Sequence, residues 1–88
     1  MNTVKIELAN FENDLAEFEL SIGCEELVTC FVKVGYNSLN DFMNGELVLE
    51  PTSWYNTEED EISKPEWFKR KELFDLNNVF ENNFKSFI

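Results

Sequence analysis

The chain has 88 residues, with 18 Asp and Glu against 7 Lys and Arg, no histidine, and a formal net charge of -11. That length allows a single domain over residues 1–88, in which about 60–65% of the unfolded surface is buried, and nine Phe within a 43% hydrophobic composition furnish a modest core. The charge opposes both a phosphate backbone and an anionic membrane, no apolar run approaches the ~20 residues of a membrane span, and no basic segment leads into an apolar leader.

Thr3-Val4-Lys5-Ile6-Glu7-Leu8 alternates apolar and polar residues, which predicts a half-buried strand with Val4, Ile6 and Leu8 facing inward. Asn10 to Asp14 carries turn chemistry, because Asn and Asp side chains bond their own backbone. The alternation resumes with Ala16, Phe18, Leu20 and Ile22 on one face and Glu17, Glu19 and Ser21 on the other, completing an antiparallel hairpin. Gly23 with Cys24-Glu25-Glu26 reads as the next turn. Leu27 to Val34 is then a third strand, with Val28, Cys30, Val32 and Val34 on one face and Leu27, Thr29, Phe31 and Lys33 on the other. Apolar residues on both faces make it the candidate central strand, or one partly covered outside.

Ser38 to Gly45 predicts a short helix, capped by Asn37 or Ser38 and ended by Gly45, with Leu39, Phe42 and Met43 packing on the sheet. Glu46 to Glu50 predicts a fourth strand, stopped by Pro51. Residues 51–62 read as a long acidic loop. Ser63-Lys64-Pro65-Glu66 has the form of a helix start, although residues 64–74 also suit a strand. Asp75 is placed to cap a final helix, whose stripe is Leu76, Val79, Phe80, Phe84, Phe87 and Ile88. The predicted fold is α+β: about four antiparallel strands, a short helix after the third, and one or two C-terminal helices packed on one side.

Without histidine there is no Ser-His or Cys-His pair and no ordinary zinc site, and three scattered glycines make no phosphate loop, so neither an enzyme nor a cofactor is expected. Cys24 and Cys30, with five residues between them, would sit about 20 Å apart on one strand, too far for a disulfide. Both read as free buried thiols, which fits a reducing cytoplasm.

The acidity is uneven. Residues 1–62 hold 14 acids and 2 bases, whereas residues 63–88 hold 4 acids and 5 bases. Glu7, Glu17 and Glu19 are predicted to share the solvent face of the hairpin, with Glu12 and Asp14 at its tip. Like charges across a strand pair cost roughly 0.2–1 kcal/mol each, a cost that a cationic partner offsets. The plainer reading is a solvated face kept acidic for solubility. Glu58, Glu59, Asp60 and Glu61 form the second candidate, a docking run flanked by Trp54 and Tyr55 as interface anchors; the plainer reading is a mobile loop with Trp54 folded back on the core. The run lacks the D-x-D-x-D-G spacing of a calcium loop. Lys69-Arg70-Lys71, the one basic cluster, is expected on an exposed helix face, exchanging ion pairs with Glu66 and Glu72.

The stretch from Ile6 to Leu20 resembles the start of small bacterial immunity proteins that neutralise secreted toxins. In these an apolar strand passes through an F-x-N/D-D turn into a strand alternating Phe with acids. Phe11, Asn13 and Asp14 match the turn, Phe18 and Leu20 match the strand, and Gly35-Tyr36 before Leu39 to Phe42 fits the following strand-to-helix step. The similarity covers about the first half of the chain. Phage DNA-mimic inhibitors, including anti-CRISPR proteins, are similar in size and charge. What these resemblances imply is an inhibitor of a basic, nucleic-acid-handling protein: a nuclease toxin in the first case, a host defence enzyme in the second. A structural or assembly subunit, including a homodimer built on exposed Phe and Trp, is the third expectation.

Overall fold

The computed structural model describes residues 3–23 and 26–88. The expectations that rest on Cys24 and Glu25, a turn and a second free thiol, lie outside the described residues.

The first hairpin forms as its alternation dictates. Strands β1 (Val4–Glu12) and β2 (Leu15–Ile22) pair antiparallel. Asn13 and Asp14 form the two-residue turn between them, with φ of 54° and 67°. Positive φ at both central residues is what a type I′ turn demands, and Asn and Asp are among the few residues that tolerate it. The turn is therefore tighter than the Asn10–Asp14 segment predicted, and β1 runs on to Glu12. That extension needs a change of parity. The register passes from Leu8↔Phe18 to Asn10↔Glu17, leaving Ala9 as the extra residue of a bulge. A bulge turns the following side chains over, so Leu8 and Phe11, three apart, both reach the core.

Strand β3 (Glu26–Lys33) pairs with β2 and occupies the centre of a five-stranded antiparallel sheet ordered β1-β2-β3-β4-β5. Val28, Cys30 and Val32 are buried, as is Val34 just beyond the strand. Helix α1 (Tyr36–Met43) follows. It starts two residues before the predicted Ser38, with Gly35 in extended conformation as its N-cap and no side-chain capping bond from Asn37 or Ser38. Its end is the predicted one. Gly45 takes φ +76° and donates to the Phe42 carbonyl, while Glu46 donates to that of Asp41, the paired bonds of a Schellman cap. Leu39 and Phe42 lean on the core, but Met43 points out.

After α1 the chain departs from several expectations. Glu46 to Glu50 does not form a strand; β4 is Ser53–Tyr55, and Thr52 already donates to the Phe31 carbonyl at 2.8 Å. The sheet position beside β3 is thus filled by the segment after Pro51. Leu49, buried, satisfies its backbone differently: its N–H donates to Asn77 Oδ1 at 2.8 Å, and its carbonyl accepts from Asn77 Nδ2 at 3.0 Å. Second, residues 51–62 are not a long loop, because β4 and β5 (Glu61–Ile62) close a small hairpin there. Third, the helix predicted from Ser63 begins only at Arg70. Pro65 to Phe68 form a turn that drops Phe68 into the core against Trp54, ring centroids 4.8 Å apart.

Helix α2 (Arg70–Asn83) then runs unbroken through Asp75, which caps nothing. Its start is satisfied by Glu72, whose carboxylate accepts the Lys69 N–H at 2.9 Å. Leu76, Phe80 and Phe84 are buried, but a single 3₁₀ turn over Phe84–Phe87 rotates the chain away, leaving Phe87 half-exposed and Ile88 exposed. The architecture is α+β, with one face of the sheet packed against α2. Among the described residues no helix is long and apolar enough to cross a membrane.

Two predictions test this packing. Asn77→Ala strips both backbone groups of Leu49 of their partner, so urea denaturation should show a loss of about 2–3 kcal/mol. Asn83→Ala, which removes an exposed bond to the Val79 carbonyl, should cost less than about 0.5 kcal/mol; equal losses would refute the special place of Asn77. Burial pushes the Cys30 thiol up from 9.0 to about 12, so the fold favours the neutral form. Stability in a Cys24→Ser variant should be unaffected by this group below pH 9 and fall as the pH rises from 9 toward about 12. Replacing Cys30 by Ala in that background should flatten this component.

Candidate functional surface

Pairing in register makes each residue of one strand a neighbour of its opposite number on the same face. One inner row reads Leu8, Phe18, Cys30, Trp54 and Ile62 from β1 to β5. Its outer counterpart reads Glu7, Glu19, Thr29, Tyr55 and Glu61, one residue from each of the five strands. Beside it runs a second outer row of Asn10, Glu17, Phe31 and Ser53. At about 4.8 Å between strands, the five-residue row is about 19 Å long.

The inner rows hold the core, while Glu7, Glu12, Leu15, Glu19, Leu27 and Lys33 on the outer face are all exposed. Sheet pairing therefore gathers Glu7, Glu17, Glu19 and Glu61 onto one open surface. Glu12 ends β1 on this same face, and Asp14 stands in the turn beyond it. The face has little internal compensation. Among the described residues the single ion pair is Lys5 to Glu7, at 3.1 Å between two exposed side chains, a geometry that contributes little. Glu7 and Glu19 face each other directly. Lys69, Arg70 and Lys71 are exposed and form no ion pair with Glu66 or Glu72, whose carboxylate is engaged at the helix start.

The acidic run is ordered by its hairpin. Asn56 Oδ1 accepts from the Glu58 and Asp60 N–H groups at 2.9 and 3.0 Å, and the backbone of Asn56 bonds with Glu59 and Asp60. Glu59 takes φ +67° at the tip. This arrangement separates the four acids: Glu61 joins the sheet row, Glu59 lines a cleft over the sheet, and Glu58 and Asp60 are exposed in the turn.

Strand parity likewise separates Trp54 from Tyr55. Trp54 is 5% exposed within the core and is not available as an interface anchor. Tyr55 lies on the open face, where its ring meets Phe31 edge-on, centroids 5.6 Å apart. Phe31, diagonal to Tyr55 and directly opposite Glu17, is the surface residue that the acidic pattern did not single out. Its signal was the second apolar face of β3. A cleft of about 390 Å³ is lined by Glu17, Thr29, Phe31, Tyr55, Asn56 and Glu59. Chemically it offers aromatic walls and two carboxylates. Among the described residues no group of three or more acids or cysteines is placed to hold a metal.

The charge row makes a stability prediction. Glu19→Lys relieves the repulsion with Glu7, so the unfolding free energy should rise by about 0.5 kcal/mol and the gain should shrink as salt is added. A net loss in chemical denaturation would show that the facing carboxylates are not under repulsion.

No family model matches the chain, and neither a curated protein nor a solved structure matches it.

Proposed function

We propose that the chain is a small acidic inhibitory protein that covers the basic cleft of a nucleic-acid-handling protein, as an immunity protein does for a nuclease toxin. One observation carries the reading: an uncovered sheet face on which Glu7, Glu19 and Glu61 stand in one row and Glu17 in the next, with Lys5 to Glu7 the single ion pair among the described residues. Carboxylates fixed at strand spacing present a patterned negative surface at low entropic cost, since the backbone has already been ordered by folding. In the complex they stand where phosphates lie, and opposite charge speeds the encounter. In this role the chain is a binder and not an enzyme, and its carboxylates serve recognition. A phage-encoded DNA mimic directed at a host defence nuclease uses the same surface chemistry and differs in its partner.

A second reading, an assembly subunit, draws on a separate surface. Met43, Leu47, Val48 and Phe74 are 38–52% exposed and line one groove between α1 and α2. Exposed apolar patches of this kind mark protein contacts.

One experiment separates them. A tagged wild-type chain and a Glu7→Gln/Glu17→Gln/Glu19→Gln/Glu61→Gln variant are used to capture partners from the native host at about 50 and about 200 mM salt. The expected outcome is a basic nuclease or nucleic-acid-binding protein, retained by the wild type, released by salt, and bound at least tenfold more weakly by the folded variant. Its nuclease activity should be inhibited by the wild type. Equal retention by both chains, with loss on Phe74→Glu instead, would favour assembly through the apolar groove.

A further inference from the structure

The open face is not uniformly acidic: at its middle two aromatic rings stand among the carboxylates. We infer that the cleft formed by Phe31, Tyr55, Glu17 and Glu59 receives an arginine side chain from the cationic partner, an inference that rests on the acidic-face reading above. Four features of the cleft point to that side chain.

Phe31 and Tyr55 meet edge-on at an interplanar angle of 82°, and both rings line the cleft. A cation over an aromatic face is held by the ring quadrupole, and a planar guanidinium also stacks on it. Glu17 and Glu59 line the cleft from different elements, one on β2 and the other in the turn between β4 and β5. The fork of guanidinium N–H groups can reach carboxylates on two sides at once, whereas an ammonium is a compact point charge. Neither carboxylate has an ion-pair partner among the described residues. The volume, about 390 Å³, lies at the small end of ligand-sized cavities and admits one long side chain.

The competing occupants fit less well. A nucleobase would stack on the rings, but its phosphates would meet Glu17, Glu19, Glu59 and Glu61. A lysine satisfies the charge yet is more strongly hydrated and gains less from the rings. Residues around the cleft are held in place before binding: Tyr55 by its β3 and β5 neighbours, Phe31 by pairing on both sides, and Glu59 by the Asn56-bonded turn.

The test is a titration of the isotope-labelled full chain by NMR with hexa-arginine and with hexa-lysine, peptides of equal charge. Hexa-arginine should bind about fivefold more tightly, with amide shifts concentrated at Thr29, Phe31, Tyr55 and Glu59. Phe31→Leu keeps an apolar residue but removes the ring; it should bring the two affinities within about twofold of each other and leave that for hexa-lysine unchanged. Glu17→Gln/Glu59→Gln should weaken both peptides. Equal affinities for the wild type, with shifts spread over Glu7, Glu12 and Glu61, would overturn the arginine site while leaving the acidic face standing. No binding of either peptide at low salt would overturn both.

Discussion

The ring of Phe80 is the contact on which the rest of the structure depends. It meets Phe11 of β1 at 5.2 Å, Phe18 of β2 at 6.4 Å, Phe42 of α1 at 5.5 Å and Phe84 in the following 3₁₀ turn at 5.1 Å. So small a chain buries too little surface to stabilise several separate contacts. One fully buried side chain of α2 instead joins the helix to the first hairpin and to α1. Asn77, one turn earlier, adds a polar attachment by bonding both backbone groups of Leu49 and the Leu73 carbonyl. Together they decide where α2 lies and which sheet face is covered.

Covering one face defines the other. Because side chains alternate along a strand, the register that assembles Leu8, Phe18, Cys30, Trp54 and Ile62 inside necessarily assembles Glu7, Glu19, Thr29, Tyr55 and Glu61 outside. The acidic surface and the core are thus two readings of one strand pairing. The bulge at Ala9 fits the same logic, since without it Phe11 would face outward and Phe80 would lose its closest partner on the sheet.

The outer face spends some of the stability that the inner one supplies. Glu7 opposite Glu19 is unfavourable, and the exposed ion pair of Glu7 to Lys5 recovers little. Solubility alone would be served by carboxylates scattered anywhere on the surface. Strand pairing instead gathers them around Phe31 and Tyr55, which couples charge to shape on one face.

Much of this was legible in the sequence. Period-two alternation gave the first three strands and their faces, Gly45 marked the end of α1, and the stripe Leu76, Phe80, Phe84 marked the buried side of α2. These are local properties, set by backbone geometry and by the need to bury apolar side chains. The acids of the hairpin followed from the same alternation. What the sequence left open depended on competition between distant segments. Glu46 to Glu50 has strand-like composition, but Thr52 to Tyr55 takes the place beside β3 and Asn77 captures Leu49. Ser63 to Glu66 has a helix signature, but Phe68 must first turn in against Trp54. Nor does adjacency in sequence show that Trp54 and Tyr55 part to opposite faces, or that Phe31 meets Tyr55 and Glu59 in one cleft. Local propensity determined which elements this chain can form; the single core around Phe80 decided which of them it keeps, because burial is a property of the whole molecule.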